Sequence, residues 1–358
     1  MNTNIKSVII GTGNYTPVNI VSNTYFLEHQ FLEKNGDLIP RENAEIISKF
    51  QDITEIEERR YANPNHRASD LGYLAAVNAI ESSGVDPETL DYLVVAHNFG
   101  DISPGSTRPD VLPSLASRIK QKLGIKNPDC VAYDLPFGCP GWLQGMIQAD
   151  YFIRSGDAKR ILIIGTETLS RVTDPHDRDT MIFADGAGAT ILEGQVNTEA
   201  GILAHKTQTH ALEEAYYLYS DKSNNRDLIS DDIFIKMDGR KIYEYALKNV
   251  PLVIEQALKK SGTELTDIKK VLVHQANGKM DEAILKRLFK LYGIKEIPQD
   301  IMPMTISTYG NSSVATVPTL LDLILKKKLE THEFKAGDKI VLASVGAGMN
   351  INAMVYRF

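Results

Sequence analysis

The chain has 358 residues, 43% apolar and 24% charged, which is the composition of a globular protein able to bury a core without disulfides or metals. No apolar run reaches the ~18 residues of a membrane-spanning helix, and the formal charge of −7 argues against nucleic acid as a partner. Two cysteines make no disulfide framework, and no cluster has metal-ligand spacing, so we expect a cytoplasmic protein without a bound metal.

The chain starts with the pattern of a strand and a turn, "MNTNIKSVIIGTGNYTP", whose apolar run of three residues is too short for a signal peptide. Further along, two segments repeat at a separation of 178 residues: "AIESSGVDPETLDYLVVAH" from Ala79 and "ALKKSGTELTDIKKVLVHQ" from Ala257. Each copy predicts a helix that ends at Ser-Gly, a short link and a buried strand.

Two more matches follow in the same order along the chain. "SGDAKRILIIG" resembles "AGDKIVLASVG", and "GAG" occurs at Gly186–Gly188 and at Gly346–Gly348. We therefore predict two similar α/β halves, residues 1–195 and 196–358. The strands are apolar on both faces, which indicates sheets that helices cover on both sides. The polar, tyrosine-rich stretch 203–238 fits this repeat poorly and is predicted to be an insertion on the surface or over a site.

Cys139 lies in "DLPFGCPGWLQGM", between a predicted strand, "VAYDL", and an amphipathic helix that ends at Ser155-Gly156. Proline favours the first position of a helix, so Pro140 predicts that Cys139 is the N-cap, where the helix dipole would stabilise a thiolate. Active sites of α/β folds gather at this edge of the sheet. Free cysteines are more often buried and inert; this alternative stays open for Cys139 and is preferred for Cys130.

His274 directly follows the predicted strand "VLV", and in the repeat it aligns with Ala96 of the first half. A histidine at a strand end, facing a cysteine at another strand end, can form a catalytic pair, although a core histidine would give the same pattern. Asn311, in "STYGNSSVATVP", is the nearest amide in a turn after His274 and is either a cap or a site residue. Six other histidines lie in polar contexts and are expected to be solvated: His29, His66, His176, His205, His210 and His332.

These segments resemble 3-oxoacyl-[acyl-carrier-protein] synthase III, the initiating condensing enzyme of the thiolase-like superfamily. The likeness runs nearly end to end, through "GTGNYTP", "EIEERRYA", "LPFGCPGW", "SRVTDPHDRDT", "FADGAGA", "VLVHQANGKM", "YGNSSVAT" and "VGAGMNI". The cysteine, histidine and asparagine motifs occur in the order of that family. The resemblance implies a thiolase-like fold of two similar α/β halves, with sheets covered by helices in αβαβα layers.

The resemblance also implies a mechanism that uses acyl thioesters and needs no cofactor. Cys139 would attack an acyl thioester, while the backbone N–H groups of Cys139, Ala347 and Gly348 hold the developing oxyanion. Malonyl-carrier protein would then enter, and His274 Nε2 and the Asn311 amide would stabilise the enolate that forms as CO2 leaves. The resulting carbon nucleophile would attack the acyl group on Cys139 and give a 3-oxoacyl-carrier product. Asparagine suits this role because an aspartate would oppose the enolate charge.

The positions that would bind coenzyme A depart from the family pattern. Lys49 and Ile53 stand where CoA-binding members carry a tryptophan and an arginine. Arg178 matches a second CoA-contacting arginine, whereas Gly239 and Arg240 stand at the family's "MAG"-asparagine segment. The set of residues that contacts coenzyme A in the family, which we call the CoA clamp, is thus only partly present. The donor is therefore expected to be a differently held CoA ester or an acyl group on a carrier protein.

Leu112 stands where the resemblance places a phenylalanine of the partner subunit that closes the acyl pocket. A homodimer is therefore implied. Leucine is smaller and more flexible than phenylalanine, which predicts that the pocket accepts a longer or bulkier acyl group.

The predicted helix after His274 carries a basic stripe, with Asp281 and Glu282 expected to point elsewhere. The stripe consists of Lys279, Lys286, Arg287 and Lys290. Acyl carrier proteins are acidic, so this stripe predicts a docking face for them. An ordinary solvated helix face is the alternative.

Three other functions fit parts of the sequence. Papain-like proteases also use Cys, His and Asn in this order, and the histidine follows the cysteine by 135 residues; but the asparagine follows it by 172 and "CGSCW" is absent. A non-catalytic partner subunit would lack the nucleophile, yet all three residues are present. A secondary-metabolism relative fits the altered CoA clamp and Leu112. It would join a fatty-acyl group to a 3-oxoacyl-type partner, for example towards dialkylresorcinols, or transfer acyl groups without decarboxylation.

Overall fold

The computed structural model describes residues 5–358; residues 1–4 of the predicted first strand and turn lie outside this range. The first part of the chain forms the elements β1 (Lys6–Tyr15), β2 (Asn19–Ser22), α1 (Asn43–Thr54), β3 (Glu58–Tyr61), α2 (Ala68–Ser83), β4 (Tyr92–Ala96), β5 (Asp101–Ile102), β6 (Pro109–Asp110), α3 (Leu115–Leu123), β7 (Val131–Leu135), α4 (Gly141–Ser155), β8 (Arg160–Thr168) and β9 (Asp185–Gln195). The second part forms β10 (Gly201–Thr209), β11 (Leu218–Asp221), β12 (Phe234–Met237), α5 (Gly239–Ser261), β13 (Ile268–Val273), α6 (Gly278–Leu291), α7 (Ile306–Tyr309), α8 (Thr316–Leu325), β14 (Lys339–Gly346) and β15 (Asn350–Arg357). None of the helices within residues 5–358 is long and apolar enough to cross a bilayer.

The two larger sheets repeat one strand order. The first runs β1-β9-β8-β4-β7 and the second β10-β15-β14-β13. In both sheets the first three strands pair antiparallel, and the next pair, β8–β4 or β14–β13, is parallel. The repeated segments of the sequence therefore occupy equivalent strands: β4 and β13, β8 and β14, β9 and β15. The boundary between residues 195 and 196 stays a prediction.

The repeated helix ends also have the same local structure. Helix α2 ends at Gly84 (φ 67°) and helix α5 at Gly262 (φ 65°), both in the left-handed region where glycine is favoured. Each glycine is followed by a short 3-10 turn and then by β4 or β13. The Ser-Gly signal thus predicted both helix ends.

Helices α4 and α8 lie between the two sheets. Leu143 of α4 and Leu320 of α8 share one core with Ile163 of the first sheet and Leu342 of the second. Helices α2 and α3 cover the outer face of the first sheet, and α5 and α6 cover that of the second. The layers follow the order αβαβα, which confirms the predicted fold class. Strands that are apolar on both faces need helices on each side of the sheet.

Residues 203–209 correct the prediction of an insertion over 203–238. They belong to β10, an edge strand of the second sheet that pairs with β15. His205, expected to be solvated, is only 5% exposed there. The error has a physical cause: half-buried and exposed residues alternate at the end of β10, so its polar side chains gave the stretch the composition of a loop.

From residue 210 onward the chain does leave the sheet. Strands β11 and β12 pair with each other as a two-stranded ribbon, and we call residues 210–238 the strap. Lys236 holds the strap to the body of the protein, because its buried Nζ lies 2.6 Å from Asp174 Oδ2 and 3.0 Å from Asp177 Oδ2. An ion pair buried this completely is costly to break, since one charge would be left without a partner.

Candidate active site

Cys139 lies in the turn between β7 and α4, at the carboxyl end of a strand that runs parallel to β4. Gly138 before it takes φ 70°, and a Cβ there would lie 2.8 Å from the backbone of Ala347. Only glycine therefore lets the loops of the two halves touch at this point. Helix α4 begins at Gly141 with Pro140 as its N-cap, so the prediction that Cys139 is the N-cap is wrong by one residue: Cys139 lies directly before the cap. The turn is tight because the Gly141 N–H donates to Gly138 O at 2.9 Å.

His274 and Asn311 approach Cys139 from the other half of the chain. His274 follows β13 directly, and Asn311 lies in the turn after α7. The Asn311 backbone is fixed by the first half: its N–H donates to Ile182 O at 3.0 Å and its carbonyl accepts from the Ala184 N–H at 2.8 Å. Cys139, His274 and Asn311 all line one cavity of ≈110 Å³, which we call the catalytic cavity.

The histidine and the asparagine present neutral donors to the catalytic cavity. Asn311 Oδ1 accepts from the Ser313 N–H at 2.8 Å, which leaves the Nδ2 donor for a ligand. Burial lowers the pKa of His274 to about 4, although a contact with the Ser313 backbone acts in the opposite direction. The imidazole is therefore neutral at neutral pH and has one N–H to donate.

The Cys139 thiol is protonated in the resting site. One side of the residue faces cavities, so it is half-buried by area, but its sulfur lies deep in the protein. Burial raises the pKa of the Cys139 thiol to about 11; the Ser313 side chain opposes this rise, the Glu167 carboxylate adds to it, and the N–H groups of Cys139 and Ala347 oppose it. A helix dipole stabilises an exposed anion by only about 0.3–1 kcal/mol. The expectation of a stabilised thiolate is therefore wrong, because desolvation outweighs the dipole.

The loop after β14 supplies backbone groups beside the sulfur. A Cβ at Gly346 would lie 2.9 Å from Cys139 Sγ, so the loop packs directly on the cysteine. The backbone N–H groups of Cys139 and Ala347 both interact with the thiol. Gly348 follows in the same loop at φ 72°. Two of the three groups predicted to hold the oxyanion thus lie at the sulfur, and the third is one residue further along.

A second cavity, of ≈210 Å³, also borders Cys139, and we call it the inner cavity. Most of its wall is apolar, and the strap contributes part of it. The apolar lining consists of Phe99, Leu169, Phe183, Leu218 and Ile235. Cys139, with Phe183 and Leu218, therefore lines both the inner cavity and the catalytic cavity.

A third cavity, of ≈530 Å³, lies on the surface side of the catalytic cavity, and we call it the entrance cavity. Four basic and two acidic side chains line it: Arg41, Lys49, Arg178, Arg240, Glu33 and Asp179. Ile53 and Gly239 also line it, so every position compared with the CoA clamp comes together here. Gly239 and Tyr243 border both the entrance and the catalytic cavity, which makes the two continuous.

Leu112 and the basic stripe lie outside these cavities. Leu112 is 86% exposed on the segment after β6. The four basic residues of the stripe, on α6, are all exposed: Lys279, Lys286, Arg287 and Lys290. Asp281 is buried, but Glu282 pairs with Lys286 at 2.6 Å. The prediction that Glu282 points elsewhere is wrong, because residues four apart share a helix face.

Three polar residues behind Cys139 were missed in the sequence. Glu167, fully buried in β8, accepts from the Asn98 backbone N–H at 2.7 Å and from Asn98 Nδ2 at 2.5 Å. Asn98 Nδ2 also donates to Ser313 Oγ at 3.0 Å. A carboxylate inside the apolar run "ILIIGTETL" was a visible signal, since glutamate is almost never fully buried without partners. Asn98 carries no comparable signal.

The αβαβα layers, and a cysteine, a histidine and an asparagine around one cavity, define a thiolase-like condensing enzyme, which is an acyltransferase. Family models described as 3-oxoacyl-[acyl-carrier-protein (ACP)] synthase III and its C-terminal part match residues 133–211 and 258–358. Beta-ketoacyl-[acyl-carrier-protein] synthase III of Staphylococcus epidermidis is 31% identical, over 100% of this chain and 99% of its own. The chain belongs to the 3-oxoacyl-[acyl-carrier-protein] synthase III family.

Solved structures give the same result. The 3-oxoacyl-[acyl-carrier-protein] synthase III of Aquifex aeolicus is 28% identical with a TM-score of 0.79, covering 98% of this chain and 100% of that one. OleA of Xanthomonas campestris, 19% identical with a TM-score of 0.76 over 99% and 98% of the chains, shares the fold. The family, the fold and the enzyme class predicted from the sequence are confirmed. Within residues 5–358, no group of three or more His, Cys, Asp or Glu side chains is arranged to hold a metal ion.

Proposed function

We propose that the enzyme transfers an acyl group from a thioester to Cys139 and then condenses it with malonyl-carrier protein, with loss of CO2. One observation carries this proposal: Cys139 lines both the catalytic cavity and the inner cavity. An acyl chain on the sulfur can extend into the apolar inner cavity. The second thioester can then occupy the catalytic cavity between the same sulfur and the His274–Asn311 pair.

In the first step the Cys139 sulfur attacks the thioester carbonyl of the donor. A C–S bond to Cys139 forms, the donor's C–S bond breaks, and the thiol proton leaves with the donor's sulfur. The N–H groups of Cys139 and Ala347 support this step, because they already interact with the thiol and can hold the oxyanion, with Gly348 beside them. The proton is lost only as the new bond forms, since burial keeps the resting thiol protonated.

In the second step His274 Nε2 and Asn311 Nδ2 donate to the thioester oxygen of the malonyl group. As the C–C bond to the carboxylate breaks and CO2 leaves, its electron pair moves to the α-carbon and this oxygen. The carbon then attacks the acyl-Cys139 carbonyl and displaces the sulfur as a thiolate, which takes up a proton from water to restore the resting thiol. Two neutral donors suit this step because they oppose neither the incoming carboxylate nor the enolate.

The entrance cavity supports a phosphopantetheine thioester as the donor. Arg178 and Arg240, with Lys49, can pair with the phosphate that CoA and acyl carrier proteins have in common. The apolar inner cavity supports an acyl group longer than acetyl. A cavity of ~150 Å³ holds a benzene-sized molecule, and the inner cavity measures ≈210 Å³.

The remaining predictions concern partners, and each has structural support. The exposed basic stripe of α6 can attract an acidic acyl carrier protein. Leu112, 86% exposed in the single chain, is available for a second subunit of a homodimer. The reaction above needs thioester substrates and no cofactor. Two free cysteines suit a cytoplasmic protein.

A secondary-metabolism condensation with a 3-oxoacyl acceptor is the second candidate. The ≈210 Å³ inner cavity favours it, because that cavity has room for more than the acetyl group of an initiating enzyme. The likeness to OleA does not add to it, since at 19% identity it reflects the fold alone.

Incubation with malonyl-carrier protein and a series of acyl-CoA and acyl-carrier donors tests the proposal. We expect CO2 release and a 3-oxoacyl-carrier product with at least one donor longer than acetyl. Absence of CO2 with every donor would exclude the decarboxylative reaction. Formation of a product from a 3-oxoacyl acceptor under those conditions would establish the second candidate instead.

A further inference from the structure

We propose that Glu167, Asn98 and Ser313 form a positioning chain that turns the hydroxyl hydrogen of Ser313 towards the sulfur of Cys139. None of the three side chains has a part in the condensation described above, in which only the backbone N–H of Ser313 acts, through Asn311. The inference rests on the proposed role of Cys139 as the nucleophile. What the chain would supply is a hydrogen bond to the sulfur as it becomes an anion during attack.

The hydrogen bonds fix the direction of each group in the chain. An ionised carboxylate only accepts, and Glu167 Oε1 accepts from both the backbone N–H and the Nδ2 of Asn98. This orients the Asn98 amide, because its oxygen would otherwise face the carboxylate. The second Nδ2 hydrogen is then directed at Ser313 Oγ, 3.0 Å away. Ser313 Oγ is thereby an acceptor, and its own hydrogen is free to be donated elsewhere.

Cys139 is the partner available to that hydrogen. Asn98, Ser313 and Cys139 share the wall of the inner cavity. The side-chain interaction with Ser313 lowers the pKa of the thiol, against the larger effect of burial. A hydroxyl held in this direction stabilises the thiolate form, which is the form that attacks.

The backbone of Ser313 is itself strained. Its φ of 53° lies in the left-handed region, which few residues other than glycine adopt. Such strain persists where surrounding contacts impose it, and it clusters at active sites. Here the Ser313 N–H holds Asn311 Oδ1, while Ser313 also borders the same cavity as Cys139. One residue therefore sets both the enolate-binding amide and the thiol.

The burial of Glu167 also indicates a role beyond packing. The carboxyl is fully buried, and within residues 5–358 its Oε2 has no hydrogen-bond partner. Burial raises the pKa of Glu167 to about 7. His97 opposes this rise in pKa, but a carboxylate buried without a direct ion pair is costly, and a neutral amide would fill the same space. Its ionised form is, however, the stronger acceptor for Asn98.

The test measures Cys139 acylation by intact-protein mass spectrometry in the full chain, with Ser313→Ala, Asn98→Ala and the double variant. One hydrogen bond to a charged group corresponds to roughly a tenfold to hundredfold change in rate, and we expect a loss of this size in Ser313→Ala. Asn98→Ala should lose a part of the same factor. The double variant should acylate at the same rate as Ser313→Ala, because both changes act on the same hydrogen bond to the sulfur.

Matched controls separate positioning from general damage. Ser312→Ala changes a neighbouring hydroxyl outside the chain and should acylate at the wild-type rate. Malonyl-thioester decarboxylation by Ser313→Ala should fall by much less than acylation does, since the backbone N–H that holds Asn311 is retained. The alkylation rate of Cys139 by iodoacetamide between pH 7 and pH 10 should fall in Ser313→Ala. If Ser313→Ala does not fold, Ser313→Gly, which tolerates the left-handed backbone, carries the same expectation.

Two results would overturn the proposed positioning chain. One is acylation at the wild-type rate in Ser313→Ala. The other is a double variant whose loss of rate equals the product of the losses in the two single variants. Glu167→Gln can still accept both Asn98 hydrogen bonds and should lose less than Asn98→Ala; a larger loss would also count against the chain. If the wild-type enzyme forms no acyl-Cys139 with any donor, this result contradicts the proposed function rather than the positioning chain.

Discussion

The inner cavity and the entrance cavity both adjoin the catalytic cavity, and they have opposite character. Phe99, Leu169 and Leu218 give the inner cavity an apolar wall, whereas arginine and lysine side chains line the entrance cavity. The apolar cavity can hold an acyl chain away from water, and the charged cavity can hold a phosphate. Under the proposed function, the difference implies that the acyl end and the phosphate end of a thioester are recognised by separate cavities.

The largest effect is expected from His274→Ala, which should separate the condensation step from the acylation step. Removing one donor of an oxyanion-binding pair costs about 10²–10³ in rate. We expect a loss of this size in CO2 release and condensation, while Cys139 is still acylated at close to the wild-type rate. Asn311→Asp should lose more than Asn311→Ala, because it adds a negative charge beside the enolate. Equal loss of acylation and condensation would contradict the assignment of His274 to the condensation step.

The entrance cavity is tested by Arg178→Ala. A charge-assisted hydrogen bond to phosphate corresponds to roughly a tenfold effect or more. We expect the KM for the acyl donor to rise by this factor with kcat unchanged, and the difference to shrink at high salt. Lys222→Ala, which removes an exposed charge on the strap outside the cavities, is the control. A fall in kcat with unchanged KM would place Arg178 in the chemistry instead.

The inner cavity is tested by Ile235→Phe, which narrows it from the strap side. Overpacking an apolar cavity costs about 1–3 kcal/mol, so donors long enough to reach position 235 should acylate about fivefold or more slowly. Acetyl donors should be unaffected. Leu212→Phe, on the exposed part of the strap, is the matched control. An equal loss with all donor lengths would show that the cavity does not hold the acyl chain.

Carrier-protein docking on α6 should give a smaller effect. Exposed ion pairs are worth about 0.2–1 kcal/mol, so Lys290→Glu should raise the KM for malonyl-carrier protein by about twofold to fivefold. The effect should vanish at high salt. Lys328→Glu, exposed on another face, should leave the KM unchanged. Equal KM values for Lys290→Glu and Lys328→Glu would show that the basic stripe is not a docking face for the carrier protein.

The smallest expected change is in pH dependence between pH 5 and pH 8. Because burial lowers the pKa of His274 to about 4, its imidazole stays neutral throughout this range and protonates only below it. Malonyl decarboxylation without an acyl donor should therefore change by less than about twofold between these pH values. A loss of rate centred near pH 6.5 would show that the histidine is exposed to water in the working enzyme.

The sequence predicted the parts of the site that local pattern determines. Cys139, His274 and Asn311 follow strands or turns whose apolar runs and glycines are visible in the chain, and their motifs occur in the family's order. The positions aligned with the CoA clamp were likewise identified from the order of the family's motifs, and they came together in the entrance cavity.

The errors arose where distant parts of the chain decide the outcome. The thiolate expectation used only the local helix dipole, whereas the burial of Cys139 comes from the loop at Gly346 in the other half. Strand β10 was missed because half of its residues are polar. The Glu167–Asn98–Ser313 chain joins three separate segments, and no local pattern shows that they meet.

The most direct test of the account is the mass and position of the acyl group after incubation with an acyl-CoA or acyl-carrier donor and no malonyl substrate. Peptide mapping should find one acyl group on the peptide that contains Cys139, and none in Cys139→Ala. An acyl group on Cys130 or on any other residue, or acylation of Cys139→Ala at the wild-type rate, would contradict the account.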